Sequence, residues 1–148
     1  MKIAYIFFNG ELFGDINYIK NFFLENKGDI YCADGGANLC YKLNLIPNEI
    51  WGDLDSINEN TLDFYNEKNV IIKKYPKEKD FTDSELILNY LKDKMYDKIY
   101  CIGAFGGNID HELTNINLMF IYDNLYFLKE NEMLFKIEKE FEFKNLLN

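Results

Sequence analysis

The sequence predicts an α/β domain of three layers, Rossmann-like, with a mainly parallel sheet followed by the start of an antiparallel β-unit. Two observations carry this. Short apolar runs suited to buried strands alternate five times with stretches of helical spacing. Short acidic motifs follow those strands, and in parallel sheets the ends of the strands form the edge where ligands bind.

Residues 3–8 form a continuous apolar run stopped by Asn9-Gly10, as in a buried parallel strand. Residues 16–25 place Ile16, Ile19 and Phe22 or Phe23 at helical spacing, and Lys27-Gly28 ends that helix. A strand at 29–33, a helix from 36 or 37 to about 43, and a strand at 49–52 after Pro47 follow. Asn58 is placed to cap a helix over 59–68, and 70–74 reads as the next strand. Thr82-Asp83-Ser84-Glu85 has the form of a capping box opening a helix over 84–94. A strand at 98–102 precedes a helix that Asp110 is placed to cap and that contains Leu113, Ile116 and Phe120. The last strands, 125–128 and 133–143, read as a hairpin. In the second, Phe135, Ile137, Phe141 and Phe143 alternate with Lys136, Glu138, Glu140 and Glu142. The expected organisation is an α/β domain over 1–122 and an incomplete C-terminal β region over 123–148.

At 148 residues one domain is expected, burying roughly 70% of its unfolded surface. A net charge of −9 and the lack of any basic run argue against nucleic acid and anionic membranes as partners. Cys32, Cys40 and Cys101 have no metal-binding or redox spacing, lie in apolar elements, and read as buried, reduced thiols. No stretch approaches a membrane span and the N-terminal apolar run is too short for a signal peptide, so a cytoplasmic location is expected.

Five aspartates stand out: Asp34 in Asp34-Gly35-Gly36, Asp53 and Asp55 in Gly52-Asp53-Leu54-Asp55-Ser56, Asp83 in Lys79-Asp80-Phe81-Thr82-Asp83, and Asp110 in Gly106-Gly107-Asn108-Ile109-Asp110-His111. Gathered at one edge they would raise one another's pKa unless a cation compensates them. The chain has no arginine, which leaves lysine or a divalent metal; Mg²⁺ with a phosphate-bearing substrate fits. Gly35 and Gly36 would let the backbone approach a phosphate at a helix N-terminus, although a tight turn with Asp34 as cap explains the same residues. Asp53 and Asp55, two apart beyond a strand, suit Mg²⁺, or a polar turn. Thr82, Asp83 and Glu85 are explained by capping as well as by chemistry. Lys73, Lys74 and Lys77 would serve as a phosphate funnel or as a solvated face. Gly106 and Gly107 lack the spacing of a dinucleotide fingerprint but suit a phosphate-facing loop or a close-packed turn. His111, the sole histidine, excludes a multi-histidine metal site; a base, a stacking ring and a buried polar group remain open.

In this order the motifs resemble thiamine pyrophosphokinase, over about residues 1–122. The residues that carry the resemblance are Ala33-Asp34-Gly35-Gly36-Ala37-Asn38, Pro47 leading to Gly52-Asp53-Leu54-Asp55-Ser56, Lys79-Asp80-Phe81-Thr82-Asp83-Ser84-Glu85, and Gly106-Gly107 leading to Asp110-His111. The resemblance implies Mg²⁺-dependent transfer of pyrophosphate from ATP to thiamine, giving thiamine diphosphate and AMP. It also implies a homodimer with active sites between the catalytic domain of one subunit and the C-terminal β-domain of the other. The acidic site positions it implies are Asp34, Asp53, Asp55, Asp83 and Asp110. Asp53, Asp55 and Asp83 are the metal candidates, and Asp110, ahead of His111, is the candidate to orient or deprotonate the alcohol. Gly35, Gly36, Lys79, Asp80, Gly106, Gly107, Asn108 and His111 are the ATP-binding candidates. Asn108 stands where that family usually has arginine, and its β-domain is here barely begun, so the expectation for this chain alone is Mg-ATP binding with poor turnover of thiamine. Competing readings are a pterin pyrophosphokinase acting on a hydroxymethyl pterin, and a non-catalytic nucleotide-binding remnant.

Overall fold

The computed structural model describes residues 1–76 and 81–137. Five parallel strands alternate with helices: β1 (Ile3–Phe7), α1 (Asn17–Glu25), β2 (Asp29–Ala33), α2 (Gly36–Lys42), β3 (Glu49–Gly52), α3 (Glu59–Glu67), β4 (Ile71–Lys74), α4 (Asp83–Leu91), β5 (Lys98–Ile102) and α5 (Ile109–Asn117). β6 (Leu125–Lys129) and β7 (Glu132–Phe135) complete a seven-stranded sheet of order β4-β3-β2-β1-β5-β6-β7. Every neighbouring pair is parallel except β6 and β7.

Side chains alternate across the strands, so each strand feeds two cores. Ala4, Ile6, Tyr31, Ala33, Trp51, Ile99, Cys101 and Phe127 face one layer, packed with Ile87, Leu88 and Leu91 of α4 and with Leu118 and Met119 beyond α5. Tyr5, Phe7, Ile30, Cys32, Ile50, Tyr100 and Ile102 face the other, against Ile19 of α1, Ala37 and Cys40 of α2 and Tyr65 of α3. The three cysteines are buried free thiols, as expected. Trp51 is 4% exposed; its ring stacks on Tyr75 with centroids 5.4 Å apart, and Lys73 Nζ sits 4.7 Å from the ring centre.

Four local expectations need correction. The terminal hairpin forms between β6 and β7, but β6 is also a parallel strand of the main sheet, paired with β5 through Ile99–Leu125 and Cys101–Phe127. Leu125, Phe127 and Leu128 are buried, as an interior strand requires. Strand β7 ends at Phe135, and the alternating stretch from 138 onward lies outside the described residues. The helix expected over 84–94 is α4 followed by a 3₁₀ turn, Lys92–Lys94, closed by Met95 in the left-handed region (φ 63°). Asp110 is not the cap of α5: Asn108 is, its Oδ1 accepting the His111 N–H at 3.0 Å, which leaves Asp110 in the first turn.

Candidate functional site

The strand order reverses direction between β1 and β5: the chain builds outward from β1 to β4, then crosses to the other side of β1 to lay down β5. Splayed loops at such a switch point open a crevice beyond the carboxyl ends of the strands. A cleft of about 250 Å³ lies there. Phe8, Asn9 and Gly10 line it after β1, Ala33 and Asp34 at the end of β2, Thr82, Asp83 and Ser84 at the start of α4, and Ala104, Phe105 and Gly107 after β5. His111, Thr114 and Asn115 of α5 close it.

Asp34 is the electrostatic centre. Its backbone is left-handed (φ 45°), its N–H donates to the Trp51 carbonyl at 2.7 Å, and it is 8% exposed. Burial, and then the neighbouring charge of Asp53, push its carboxyl up to about 6; the Ser56 N–H, donating to Oδ1 at 3.3 Å, opposes this, and Asp83 adds to it. Gly52 shows how tightly the carboxylates gather: a Cβ added there would lie 2.7 Å from Asp83 Oδ2 and 3.1 Å from Asp34 Cβ. Asp53 also accepts the Asp55 N–H at 3.0 Å, in the turn where Leu54 adopts φ 71°. Asp55 itself is exposed on that turn. Asn38 of α2 holds the turn from below, donating to the Ser56 carbonyl (2.8 Å) and accepting the Asn58 N–H (2.9 Å).

Gly35 and Gly36 permit the close approach of α2 to β1. A Cβ on Gly36 would lie 2.0 Å from the Phe7 carbonyl oxygen, and one on Gly35 2.0 Å from Asn9 Oδ1. Thr82 caps α4 by accepting the Glu85 N–H at 3.2 Å, and its hydroxyl donates to Glu85 Oε1 at 3.2 Å, which fixes the start of α4 beside the cleft.

Asp34, Asp83, Gly107 and His111 therefore line the cleft, Asp53 adjoins Asp34, and Gly35, Gly36 and Gly106 shape the loops. Asp110 is exposed, one residue before His111. His111 is exposed too, which removes the reading of a buried polar group. Lys73 does not act as a phosphate funnel: it pairs with Glu49 at 3.0 Å and lies over Trp51 and Tyr90. Lys77, Lys79 and Asp80 lie outside the described residues, and no lysine lines the cleft among those described. Asn9, Thr114 and Asn115 are site residues that sequence reasoning missed. The run Asn9-Gly10 after a strand, and the i+3 and i+4 spacing from His111, are the signals that point to them.

Among the described residues no group of three or more metal-binding side chains is arranged to hold an ion. Mg²⁺ needs only one or two carboxylates, its other positions being filled by phosphate oxygens and water. Hard oxygen donors crowded around Gly52, among them a carboxyl pushed up by burial and then by Asp53, suit it. Asp53 and Asp83, with Asp34 beside them, are the residues that would hold the ion.

Residues 21–128 match the family model for the catalytic domain of thiamin pyrophosphokinase. The chain belongs to the thiamin pyrophosphokinase family. It is similar to thiamine pyrophosphokinase 1 of Arabidopsis thaliana, 34% identical in an alignment 112 positions long that covers 62% of this chain and 42% of that protein. It is also similar to the thiamine pyrophosphokinase of Bacillus subtilis, 35% identical over 95 residues, 64% of this chain and 41% of that protein. In structure it resembles a thiamine pyrophosphokinase from Bacillus subtilis with a TM-score of 0.75 and 25% identity, covering 89% of this chain and 62% of that one. The yeast thiamin pyrophosphokinase shares the fold at 18% identity, with a TM-score of 0.74 over 90% of this chain and 60% of that one. The chain spans about two fifths of the length of these curated relatives.

Proposed function

We propose that the cleft binds Mg-ATP and that this chain carries the nucleotide half of a pyrophosphokinase site, transferring pyrophosphate from ATP to thiamine with release of AMP. The observation that supports it is the grouping of Asp34, Asp53 and Asp83 around Gly52, with the Asp34 carboxyl raised by burial and then by the charge of Asp53. Such a site favours a ligand that brings its own cation. Mg²⁺, when bound, supplies charge neutralisation for the polyphosphate and for the charge that develops on transfer.

The chain's own groups have positioning and proton-handling work. Asp53 and Asp83, with Asp55 on the same turn, orient the cation-bound phosphates; Gly107 and the start of α4 border the polyphosphate. The thiamine hydroxyl oxygen attacks the β-phosphorus, the bond to the α-phosphate oxygen breaks, and AMP leaves with that oxygen. Asp110, in the first turn of α5, is the group assigned to take the hydroxyl proton.

The proposed assembly is a homodimer. Ile109, Leu113 and Phe120 stand 70%, 53% and 67% exposed along α5 and the turn after it, an apolar strip suited to a second copy. Light scattering on the purified chain tests this, with Leu113→Lys expected to shift a dimer to monomer.

Titration calorimetry of ATP with and without Mg²⁺ tests the nucleotide site; metal-dependent binding is expected, and no binding at millimolar ATP would refute it. Measuring AMP release with thiamine and with hydroxymethyl pterin as acceptors then tests the substrate. AMP formed with the pterin alone would replace thiamine in this assignment.

A further inference from the structure

The loop between β5 and α5 is fixed at four points. The Glu11 N–H donates to the Phe105 carbonyl at 2.9 Å, and Asn115 Nδ2 donates to the Ala104 carbonyl at 2.7 Å. The Gly106 N–H donates to Glu112 Oε1 at 3.0 Å, and the His111 N–H to Asn108 Oδ1. Three of the four tethers are side chains of α5 and its cap, so the helix that follows the loop also clamps it.

The Glu112 contact differs from the others because its acceptor is charged, and because of what it holds. Gly106 has φ 93°, and a Cβ there would lie 2.7 Å from Glu11 Cβ, so the crest of the loop is confined to a conformation that favours glycine. Phe105 and Gly107 line the cleft on either side of the crest, whereas Gly106 and Glu112 do not. Glu112 therefore draws the Gly106 N–H away from the cleft. That leaves Gly107, the next peptide along, facing the space where a polyphosphate would lie.

We propose that Glu112 is a positioning residue for nucleotide binding: through Gly106 it sets the Phe105–Gly107 wall of the cleft in its binding-competent form. The proposal rests on the assignment of this cleft to Mg-ATP. Without the carboxylate the Gly106 N–H loses its partner, and two adjacent glycines give the loop alternative conformations. A ligand that needs the held form then binds more weakly in proportion to the fraction of molecules that keep it. A held fraction of about one tenth corresponds to a loss of about tenfold.

The experiment compares Glu112→Ala and Glu112→Gln with the parent. Mg-ATP affinity is read by calorimetry, and amide hydrogen exchange across the loop is read on ligand-free protein. Glu112→Ala is expected to weaken Mg-ATP binding about tenfold and to speed exchange in the loop. Glu112→Gln, whose amide oxygen still accepts the Gly106 N–H, is expected to restore affinity to within about threefold of the parent. An alanine variant with a lower melting temperature but unchanged affinity and loop exchange would reduce Glu112 to an ordinary structural contact and overturn the proposal. So would a glutamine variant as impaired as the alanine one, which would assign the effect to charge rather than position. If the parent binds no Mg-ATP, the nucleotide assignment fails, and the proposal, which concerns nucleotide binding, falls with it. In that event loop exchange faster in the alanine variant alone still separates the two failures, by showing that Glu112 holds the loop although the cleft takes no nucleotide.

Discussion

Replacing Asp34 by Asn separates what its carboxylate does for binding from what it costs the fold. In the folded protein the Asp34 carboxyl stands at about 6 against an ordinary 3.8, raised by burial and then by Asp53. An acid whose folded value lies above its unfolded one destabilises the fold when ionised. Stability is therefore gained as pH falls from about 6 toward 3.8 and lost as pH rises through that window. A difference of about two units corresponds to about 3 kcal/mol at most, the full cost being present by pH 8. Asn keeps an oxygen for the Ser56 N–H and presents an N–H toward Asp53, where the protonated carboxyl donates. Without Mg²⁺ or nucleotide, Asp34→Asn is expected to be about 2 kcal/mol more stable than the parent at pH 8, raising the melting temperature by about 4–8 °C. The advantage should shrink through pH 6 and vanish below pH 4. Thermal unfolding followed by circular dichroism across pH 4–8 measures it, and calorimetry on the same variant should find Mg²⁺-dependent ATP binding lost. A variant no more stable than the parent at pH 8, or a gap that ignores pH, would refute the reasoning.

The other perturbations act on single named contacts. Asp53→Asn with Asp55→Asn is expected to cut Mg²⁺-dependent ATP affinity about tenfold or more. The fold should survive, so an unchanged Mg²⁺ dependence in calorimetry would remove both from the metal site. Asn108→Ala removes the cap of α5 and should cost about 1 kcal/mol in urea unfolding, while Asn108→Asp, which still accepts the His111 N–H, should cost little. Equal losses in the two would show that the cap contributes nothing. Gly36→Ala drives a Cβ to 2.0 Å from the Phe7 carbonyl oxygen, and its urea midpoint should fall by the equivalent of about 3 kcal/mol, the upper range for overpacking. A midpoint like the parent's would mean that the α2–β1 approach relaxes without cost.

What could be read in advance follows from which forces are local. β2, β3 and β5 fall on the residues expected because each is a short buried run bounded by turn residues, and the edge bearing Asp34, Asp53 and Asp83 follows from their being parallel. The pairing of β6 was not legible. A strand's sequence records that Leu125, Phe127 and Leu128 are buried, but not that β5 is what lies beside them. The start of α5 was misread because Asn108 and Asp110 are both good caps two residues apart, and only the backbone decides that Asn108 takes the extended conformation (φ −73°, ψ 164°) a cap requires. Sequence leaves Lys73 open between a phosphate funnel and a solvated face because it cannot show Glu49 on the neighbouring strand placed to receive it. Asn115 does not stand out in the sequence because its partner, the Ala104 carbonyl, is a loop atom eleven residues earlier.

The placement of Trp51 gives the protein a native optical reporter. It is the only tryptophan among 11 tyrosines and 13 phenylalanines, so excitation at the red edge of the indole band addresses one known ring. Its carbonyl receives the Asp34 N–H, and Gly52 alone separates it from Asp53. Its ring is enclosed between Tyr75 and the Lys73 ammonium, shielded from solvent quenchers but sensitive to the local field. A change of charge on the neighbouring carboxylates alters that field and hence the emission wavelength. Titrations with proton, metal and nucleotide can thus be followed on unlabelled protein, through a chromophore one residue from the acids they affect.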